Sequence, residues 1–169
     1  MNKPTIVTFQ LHHKEFSFLG KENIITESSD FGEIWGSFFE MGGYVPIQPY
    51  ATDPKPINLW YTNSKGETIY LQGLFVENVG EVPTGYKLID FPASDFLVVT
   101  TEWMQTSDEA VGENGNEQCN EYAKNVPIPD GYMRHDGQGC PITLIEKENS
   151  DTPDGSRYEV WVPIKKIVN

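Results

Sequence analysis

The last predicted strand carries the residue types best suited to bind an organic cation. The segment 157–164 reads RYEVWVPI, and side chains alternate between the two faces of a strand. Glu159 and Trp161 therefore share one face with Arg157. A carboxylate beside an indole can seat a cation, because the acid supplies charge and the ring supplies cation–π attraction. The same residues also fit an Arg157–Glu159 ion pair with Trp161 covering the sheet, and the strand alone favours this second interpretation.

Aromatic residues elsewhere in the chain support a ligand site. The sequence has four tryptophans and eight tyrosines, more than a core of this size needs. Both types are favoured where an apolar body must lie beside a polar tip, as in ligand grooves. Core packing is the default for any single one of them. The predicted ligand-binding residues are Glu159, Trp161, Tyr70, Trp60, Trp103 and Tyr122.

The sequence contains no motif for a metal, a cofactor or an activated nucleophile. It has no phosphate loop, dinucleotide fingerprint, zinc spacing or nucleophile elbow. His12 and His13 are neighbours, so on a strand they point to opposite faces and cannot chelate one metal. Cys119 and Cys140 are too few for a disulfide framework, and we expect both to be reduced. We predict no cofactor and no metal site, and we assign no catalytic residue.

The charge of the chain restricts its partners. Its 169 residues include 12 Lys and Arg and 25 Asp and Glu, which gives a net charge of −13. Phosphate backbones repel such a surface, so direct nucleic-acid binding is not expected. Cationic ligands and basic partners are attracted to it, although solubility alone also explains the charge. The segment Thr101–Ala123 has acids but no Lys or Arg, which is typical of a solvated face.

Two further absences in the sequence bear on location. No apolar stretch reaches the ~20 residues that span a bilayer, so no membrane partner is predicted. Residues 1–10 show neither a leader nor a lipidation signature. A cytoplasmic location is the default expectation.

Apolar periodicity predicts two helices among short strands. The first helix is predicted over Asp30–Met41, and its apolar stripe comprises Phe31, Ile34, Trp35, Phe38 and Phe39. The second is predicted over Asn116–Asn125. Strands are predicted at Thr5–Phe9, Glu15–Leu19, Ile57–Thr62, Ile69–Glu77, Tyr86–Asp90, Asp95–Thr101, Ile142–Lys147 and Arg157–Ile164, with a loop at Asn149–Ser156.

The order of these elements predicts an α+β fold in one domain, 1–169. Strand, helix and hairpin occur twice, which suggests duplicated β-α-β-β halves at about 1–80 and 81–169. Hairpins rather than crossover helices join most strands, so the sheet should be antiparallel. The repeated order also predicts both helices on the same side of that sheet.

Four segments, in this order and spacing, resemble the GyrI-like effector-binding domains. The central signature of that family is similar to Tyr70–Val76 (YLQGLFV), followed by Val82–Tyr86 (VPTGY) and Phe91–Phe96 (FPASDF). The C-terminal signature is similar to Tyr158–Lys165 (YEVWVPIK). The resemblance covers nearly the whole chain. It implies a sheet with helices on one face and a ligand groove on the other.

The resemblance also implies a range of functions. The family includes drug-binding domains of multidrug-responsive transcription activators, proteins that protect DNA gyrase, and some hydrolases. In its drug-binding members a buried acid on a late strand meets the cation, and Glu159 matches that position. The chain departs from the activator pattern because it has no helix-turn-helix segment. The acidic insert Ser107–Gln118 is also longer than the family pattern predicts.

Three functional hypotheses follow from the sequence. The first and favoured one is an effector-binding module for amphipathic, cationic small molecules without a DNA-binding domain. The second is a hydrolase that uses Glu159 as base or nucleophile in the same groove. The third is a gyrase-interacting protective protein that uses its acidic surface.

Overall fold

Nine strands pair into one antiparallel sheet across residues 4–135 and 142–168, the part of the chain that a computed structural model describes. They are β1 (Ile6–His13), β2 (Phe16–Ile25), β3 (Ile57–Thr62), β4 (Thr68–Val76), β5 (Lys87–Phe91), β6 (Ser94–Thr101), β7 (Tyr132–Arg134), β8 (Leu144–Thr152) and β9 (Gly155–Lys166). The predicted α+β class and antiparallel sheet are confirmed. Cys140 lies outside the described residues.

The strand order is symmetric about the middle of the sheet. It runs β1-β6-β9-β8-β3-β4-β2-β5, with β7 added on β9. The set β1-β6-β9-β8 therefore mirrors the set β5-β2-β4-β3, and the two sets meet where β3 pairs with β8. The first strand of each half of the chain pairs with a strand of the other half. Strand β1 pairs with β6, and β5 pairs with β2. This order agrees with a pseudo-twofold axis, and an internal duplication with a boundary near residue 80 remains our proposal.

Helix α1 (Phe31–Glu40) begins and ends at the residues that its capping signals predict. Asp30 Oδ1 accepts hydrogen bonds from the backbone N–H groups of Gly32 and Glu33, at 2.8 and 3.3 Å. After the helix, Gly42 and Gly43 adopt positive φ angles of 122° and 58°. Glycine adopts this conformation without steric cost, so the chain can turn away from the helix there.

The second helical segment is more broken than the predicted helix over Asn116–Asn125. It consists of α2 (Ser107–Ala110), a π-helical turn (Glu113–Glu117) and α3 (Gln118–Ala123). A Cβ atom on Gly115 would lie 2.1 Å from the carbonyl oxygen of Ala110. Only glycine permits this close approach of the π-helical turn to α2, and the regular helix α3 begins two residues later than predicted, at Gln118.

Both helical segments pack on the same side of the sheet, as predicted. Phe38 of α1 packs with Leu19 and Leu74, while Cys119 and Ala123 of α3 pack in the cluster of Tyr158, Val160, Val162 and Ile164. Register partners share a sheet face, and pairing places these residues on one face. A separate core, which includes Phe75, Phe96 and Trp161, occupies the opposite face.

Some strands extend beyond their predicted ends. Strand β2 continues to Ile25, and β8 continues to Thr152 through much of the predicted loop Asn149–Ser156. Gly155, with φ of 121°, lets β9 begin directly after a tight turn. Polar residues in these stretches do not show the apolar alternation that predicts a strand. Pairing with neighbouring strands stabilises the extended conformation there instead.

The two adjacent phenylalanines of α1 give a test of this packing. Phe38 is fully buried, whereas Phe39 is 60 % exposed. We expect Phe38→Ala to lower the free energy of unfolding by about 3–5 kcal/mol, because it leaves a cavity in the core. Phe39→Ala is the matched control and should cost about 1 kcal/mol or less. Urea denaturation measures both values, and equal losses would contradict this orientation of α1.

Candidate functional site

A cleft of about 360 Å³ opens on the helix side of the sheet, above the β3–β8 pair. We call it the helix-side cleft. Small-molecule sites begin at about this size. Its lining residues come from α1 and the following loop, strands β3, β4, β8 and β9, and the segment after α2. They are Phe31, Trp35, Tyr44, Pro56, Asn58, Trp60, Tyr70, Val111, Asn116, Glu146, Glu148 and Tyr158.

Stacked aromatic rings form one wall of the helix-side cleft. Trp60 and Tyr70 are register partners on β3 and β4, and their rings stack with centroids 4.5 Å apart and planes at 13°. Phe31 of α1 lies against both rings, at 6.0 and 5.3 Å. The predicted apolar stripe of α1 is thus divided, since Phe38 enters the core while Phe31 and Trp35 face the cleft. Two of the six predicted ligand residues, Trp60 and Tyr70, meet here.

A carboxylate, Glu146, lies directly beside this aromatic wall. Its Oε1 accepts a hydrogen bond from Trp60 Nε1 at 2.8 Å. Its Oε2 accepts one from Tyr158 Oη at 2.8 Å and one from Asn120 Nδ2 at 3.3 Å. Within the described residues it forms no ion pair with Lys, Arg or His. Three neutral donors therefore fix the position of the carboxylate, and none of them cancels its negative charge.

A second acid, Glu148, lines the same cleft from the same strand. It lies two residues after Glu146, so both side chains project from one face of β8. Burial raises the pKa of Glu148, a hydrogen bond from Ser150 Oγ lowers it, and the charge of Asp151 raises it further. No described cation pairs with its carboxylate. The charged form of Glu148 is therefore stabilised by one long hydrogen bond and by no cation among the described residues.

The tyrosines of the cleft respond to these two acids. Burial raises the pKa of Tyr70 and of Tyr158, and the nearby charge of Glu146 raises both further. Burial likewise raises the pKa of Tyr44, with a smaller contribution from Glu148. All three phenols stay protonated at neutral pH. The cleft thus disfavours additional negative charge.

The structure places Glu159 and Trp161 on the other side of the sheet. Glu159 Oε1 accepts a hydrogen bond from Trp161 Nε1 at 3.0 Å. Its Oε2 accepts from Arg157 Nε at 3.1 Å and from Asn149 Nδ2 at 3.0 Å. Glu159 is 4 % exposed and is already paired with a guanidinium. The alternation of the last strand predicted that both residues lie on the face opposite the helices. A ligand role for Glu159 remains a prediction, and Glu159 does not line the helix-side cleft.

The remaining two predicted residues also lie away from the helix-side cleft. Trp103 stacks on the guanidinium of Arg157, with the ring centroid 4.1 Å from Cζ, so it supports the Glu159 ion pair. Tyr122 is on α3, 43 % exposed, and does not line the cleft. Their ligand roles also remain predictions.

A larger cleft of about 670 Å³ lies near the β1–β2 turn. Phe75 and Phe91 contribute to it from the core opposite the helices, and charged residues of both signs surround it. A groove on the predicted face therefore exists, but none of the six predicted residues lines it. Trp60 and Tyr70 point to the helix side instead, because their register fixes both side chains on that face.

The sequence analysis missed Glu146, Glu148, Phe31 and Trp35 as site residues. The alternation Ile145-Glu146-Lys147-Glu148 was a usable signal, since it places two acids on one face if the strand predicted at Ile142–Lys147 continues by one residue. The position of that strand in the sheet was the missing information. In the described residues no cluster of His, Cys, Asp and Glu is arranged to hold a metal ion. Helices of that part of the chain are also too short or too polar to cross a membrane.

Comparison with known proteins identifies the fold. SAV2435 bound to tetraphenylphosphonium superposes with a TM-score of 0.70 at 12 % identity, over 94 % of both chains. The chain has a GyrI-like fold. An integron cassette protein of Vibrio cholerae matches this fold with a TM-score of 0.58 at 11 % identity, over 94 % of this chain and 95 % of that one.

The C-terminal domain of EcmrR also has the GyrI-like fold. It matches with a TM-score of 0.53 at 11 % identity, over 96 % of this chain and 99 % of the domain. In a complex of EcmrR with DNA, the same match covers 58 % of the EcmrR chain, with a TM-score of 0.56 at 12 % identity. No family profile and no curated protein sequence matches the chain. These comparisons confirm the GyrI-like fold that the sequence predicted.

The raised pKa of Glu148 gives a test of the electrostatics in this site. A carboxyl whose pKa is higher in the folded protein stabilises the fold only at low pH, and that contribution is lost as pH rises through the folded pKa. Glu148→Gln removes the charge, so it should raise the melting temperature at pH 7. The difference should close below about pH 4, the unfolded pKa of glutamate. Thermal denaturation at both pH values measures it.

The exposed Glu121 provides the control for that measurement. Its side chain is 74 % exposed and pairs only with the exposed Lys124 in the described residues. Glu121→Gln should not raise the melting temperature at pH 7. A melting temperature for Glu148→Gln at or below that of the wild type at pH 7 would show that Glu148 has a stabilising partner.

Proposed function

We propose that this protein binds amphipathic organic cations in the helix-side cleft. The observation that carries the proposal is the Glu146 carboxylate, which is fixed by three neutral donors beside the stacked rings of Trp60 and Tyr70. An aromatic wall attracts a flat apolar body, and an uncompensated carboxylate attracts its positive charge. This is the combination that the sequence analysis sought at Glu159, supplied here by another acid.

The electrostatics of the cleft support a cation over an anion or a neutral ligand. Glu146 and Glu148 both face the cleft without a described cationic partner. The tyrosines cannot offset this charge, because they are neutral at physiological pH. The net charge of −13 adds a long-range attraction for cations.

The comparison with SAV2435 supports the class of ligand. That protein shares the fold and has been observed with tetraphenylphosphonium, a lipophilic cation. Its identity of 12 % to this chain establishes only the fold, so the proposal for this chain depends on the residues of its own cleft. An effector-binding role, with no direct contact between this domain and DNA, is part of the same proposal and is consistent with its acidic surface.

Exchange of the Glu146 carboxylate for an amide tests this function. The probes are a naphthylmethyl-trimethylammonium cation and its neutral neopentyl isostere, which have the same shape. We expect Glu146→Gln to weaken binding of the cation at least about tenfold, equivalent to ~1.4 kcal/mol, and to leave binding of the neutral isostere within about twofold. Isothermal titration calorimetry measures both affinities.

Glu159→Gln is the matched control, since it removes the same charge from the opposite face. It should leave the affinity for the cation within about twofold, after circular dichroism has shown that the variant is folded. Loss of cation binding in Glu159→Gln but not in Glu146→Gln would assign the ligand to Glu159 and refute the helix-side cleft. Equal losses for the cation and the neutral isostere would mean that the site recognises shape rather than charge.

A further inference from the structure

The helix-side cleft contains two carboxylates at a fixed spacing. Glu146 and Glu148 lie two positions apart on β8, and both line the cleft. Two steps along a strand cover roughly 6–7 Å. A strand at the centre of a sheet is rigid, so this spacing is a property of the fold rather than of a mobile loop.

The cations that could neutralise Glu148 are used elsewhere. Lys147 points to the opposite face, where its Nζ pairs with Asp53 at 2.6 Å. Lys55 Nζ donates a hydrogen bond to the carbonyl oxygen of Ser150. The only side-chain hydrogen bond that Glu148 accepts within the described residues is a long one of 3.4 Å, from Ser150 Oγ. Glu148 therefore retains acceptor capacity for a bound ligand.

A third acceptor in the cleft is independent of the acids. Asn58 is the register partner of Glu146 on β3 and lines the cleft. Its Oδ1 oxygen is buried and accepts no hydrogen bond from any described residue. Buried polar atoms are normally paired, so this oxygen adds an unsatisfied acceptor beside Glu146. Among the described residues, the lining of the cleft thus contains several acceptors and no Lys, Arg or His.

We propose that the preferred ligands are dications with two N–H-bearing ammonium groups, one at Glu146 and the other at Glu148. An aromatic spacer between the ammonium groups would lie against Trp60 and Phe31. This inference rests on the proposed function and makes it narrower. A monocation would satisfy Glu146 and leave the partly buried Glu148 without a cationic partner among the described residues, whereas a dication of matching length would satisfy both.

A matched pair of ligands tests the inference. The dication is 1,4-bis(aminomethyl)benzene, and the monocation is 4-methylbenzylamine, which differs by one ammonium group. We expect the dication to bind the wild-type protein at least about tenfold more tightly. This exceeds the twofold statistical advantage of two equivalent ends. Isothermal titration calorimetry at constant ionic strength measures the affinities.

Glu148→Gln distinguishes the second acid from general charge attraction. It should reduce the preference for the dication to about twofold and leave the affinity for the monocation within about twofold. Glu121→Gln removes the same charge from an exposed helix surface and should retain the full preference. Glu146→Gln should weaken binding of both ligands.

The outcomes separate this inference from the proposed function. A preference for the dication that is near twofold in the wild type, or that survives Glu148→Gln, would overturn the inference. If Glu146→Gln still weakened both ligands in that case, the cation-binding function would stand without it. If the wild-type protein bound none of the three cations, the dication, the monocation or the naphthyl cation, both the inference and the proposed function would be overturned.

Discussion

Strands β3 and β8 pair over four positions, Ile57–Trp60 against Leu144–Lys147, and this short seam joins the two sets of strands. Every feature of the helix-side cleft depends on it. The seam places Asn58 opposite Glu146, and Trp60 opposite Leu144, so that groups distant in sequence become neighbours. The helical segments pack on the two sides of the seam and leave the floor between them uncovered. The cleft is therefore the gap between the two helical segments, above the line where the two sets of strands meet in one sheet.

Glu146 and Glu159, one partly and one fully buried, have opposite surroundings. Glu159 is held by a guanidinium, an indole N–H and an amide, and Trp103 and Phe9 cover that guanidinium from two sides. Such a pair is a structural device, because the charge of each partner is compensated within the fold. Glu146 has donors of the same number but no cation among them. The difference between a structural acid and a binding acid lies here in the charge of the donors.

The fold holds Glu146 partly out of water with hydrogen bonds but with no opposite charge among the described residues. Taking a carboxylate out of water is unfavourable unless hydrogen bonds or an opposite charge replace the solvent. Trp60, Tyr158 and Asn120 supply hydrogen bonds, while the charge remains open to the cleft. The neighbouring Glu148 increases this imbalance. A carboxylate without a described cationic partner, at a concave site beside aromatic rings, is typical of a site for a cationic ligand.

The sequence by itself determined the fold class, the caps of α1 and the two faces of β9. These are local properties, since capping residues, glycines and alternation act within a few residues of the chain. It also identified Trp60 and Tyr70 as ligand candidates. The tertiary structure decided which acid joins them. Glu146 and Glu159 are both acids on late strands, and only the register of β8 against β3, and the position of Arg157 beside Glu159, distinguish them. Cross-strand neighbours are set by long-range pairing, which no local pattern in the sequence encodes.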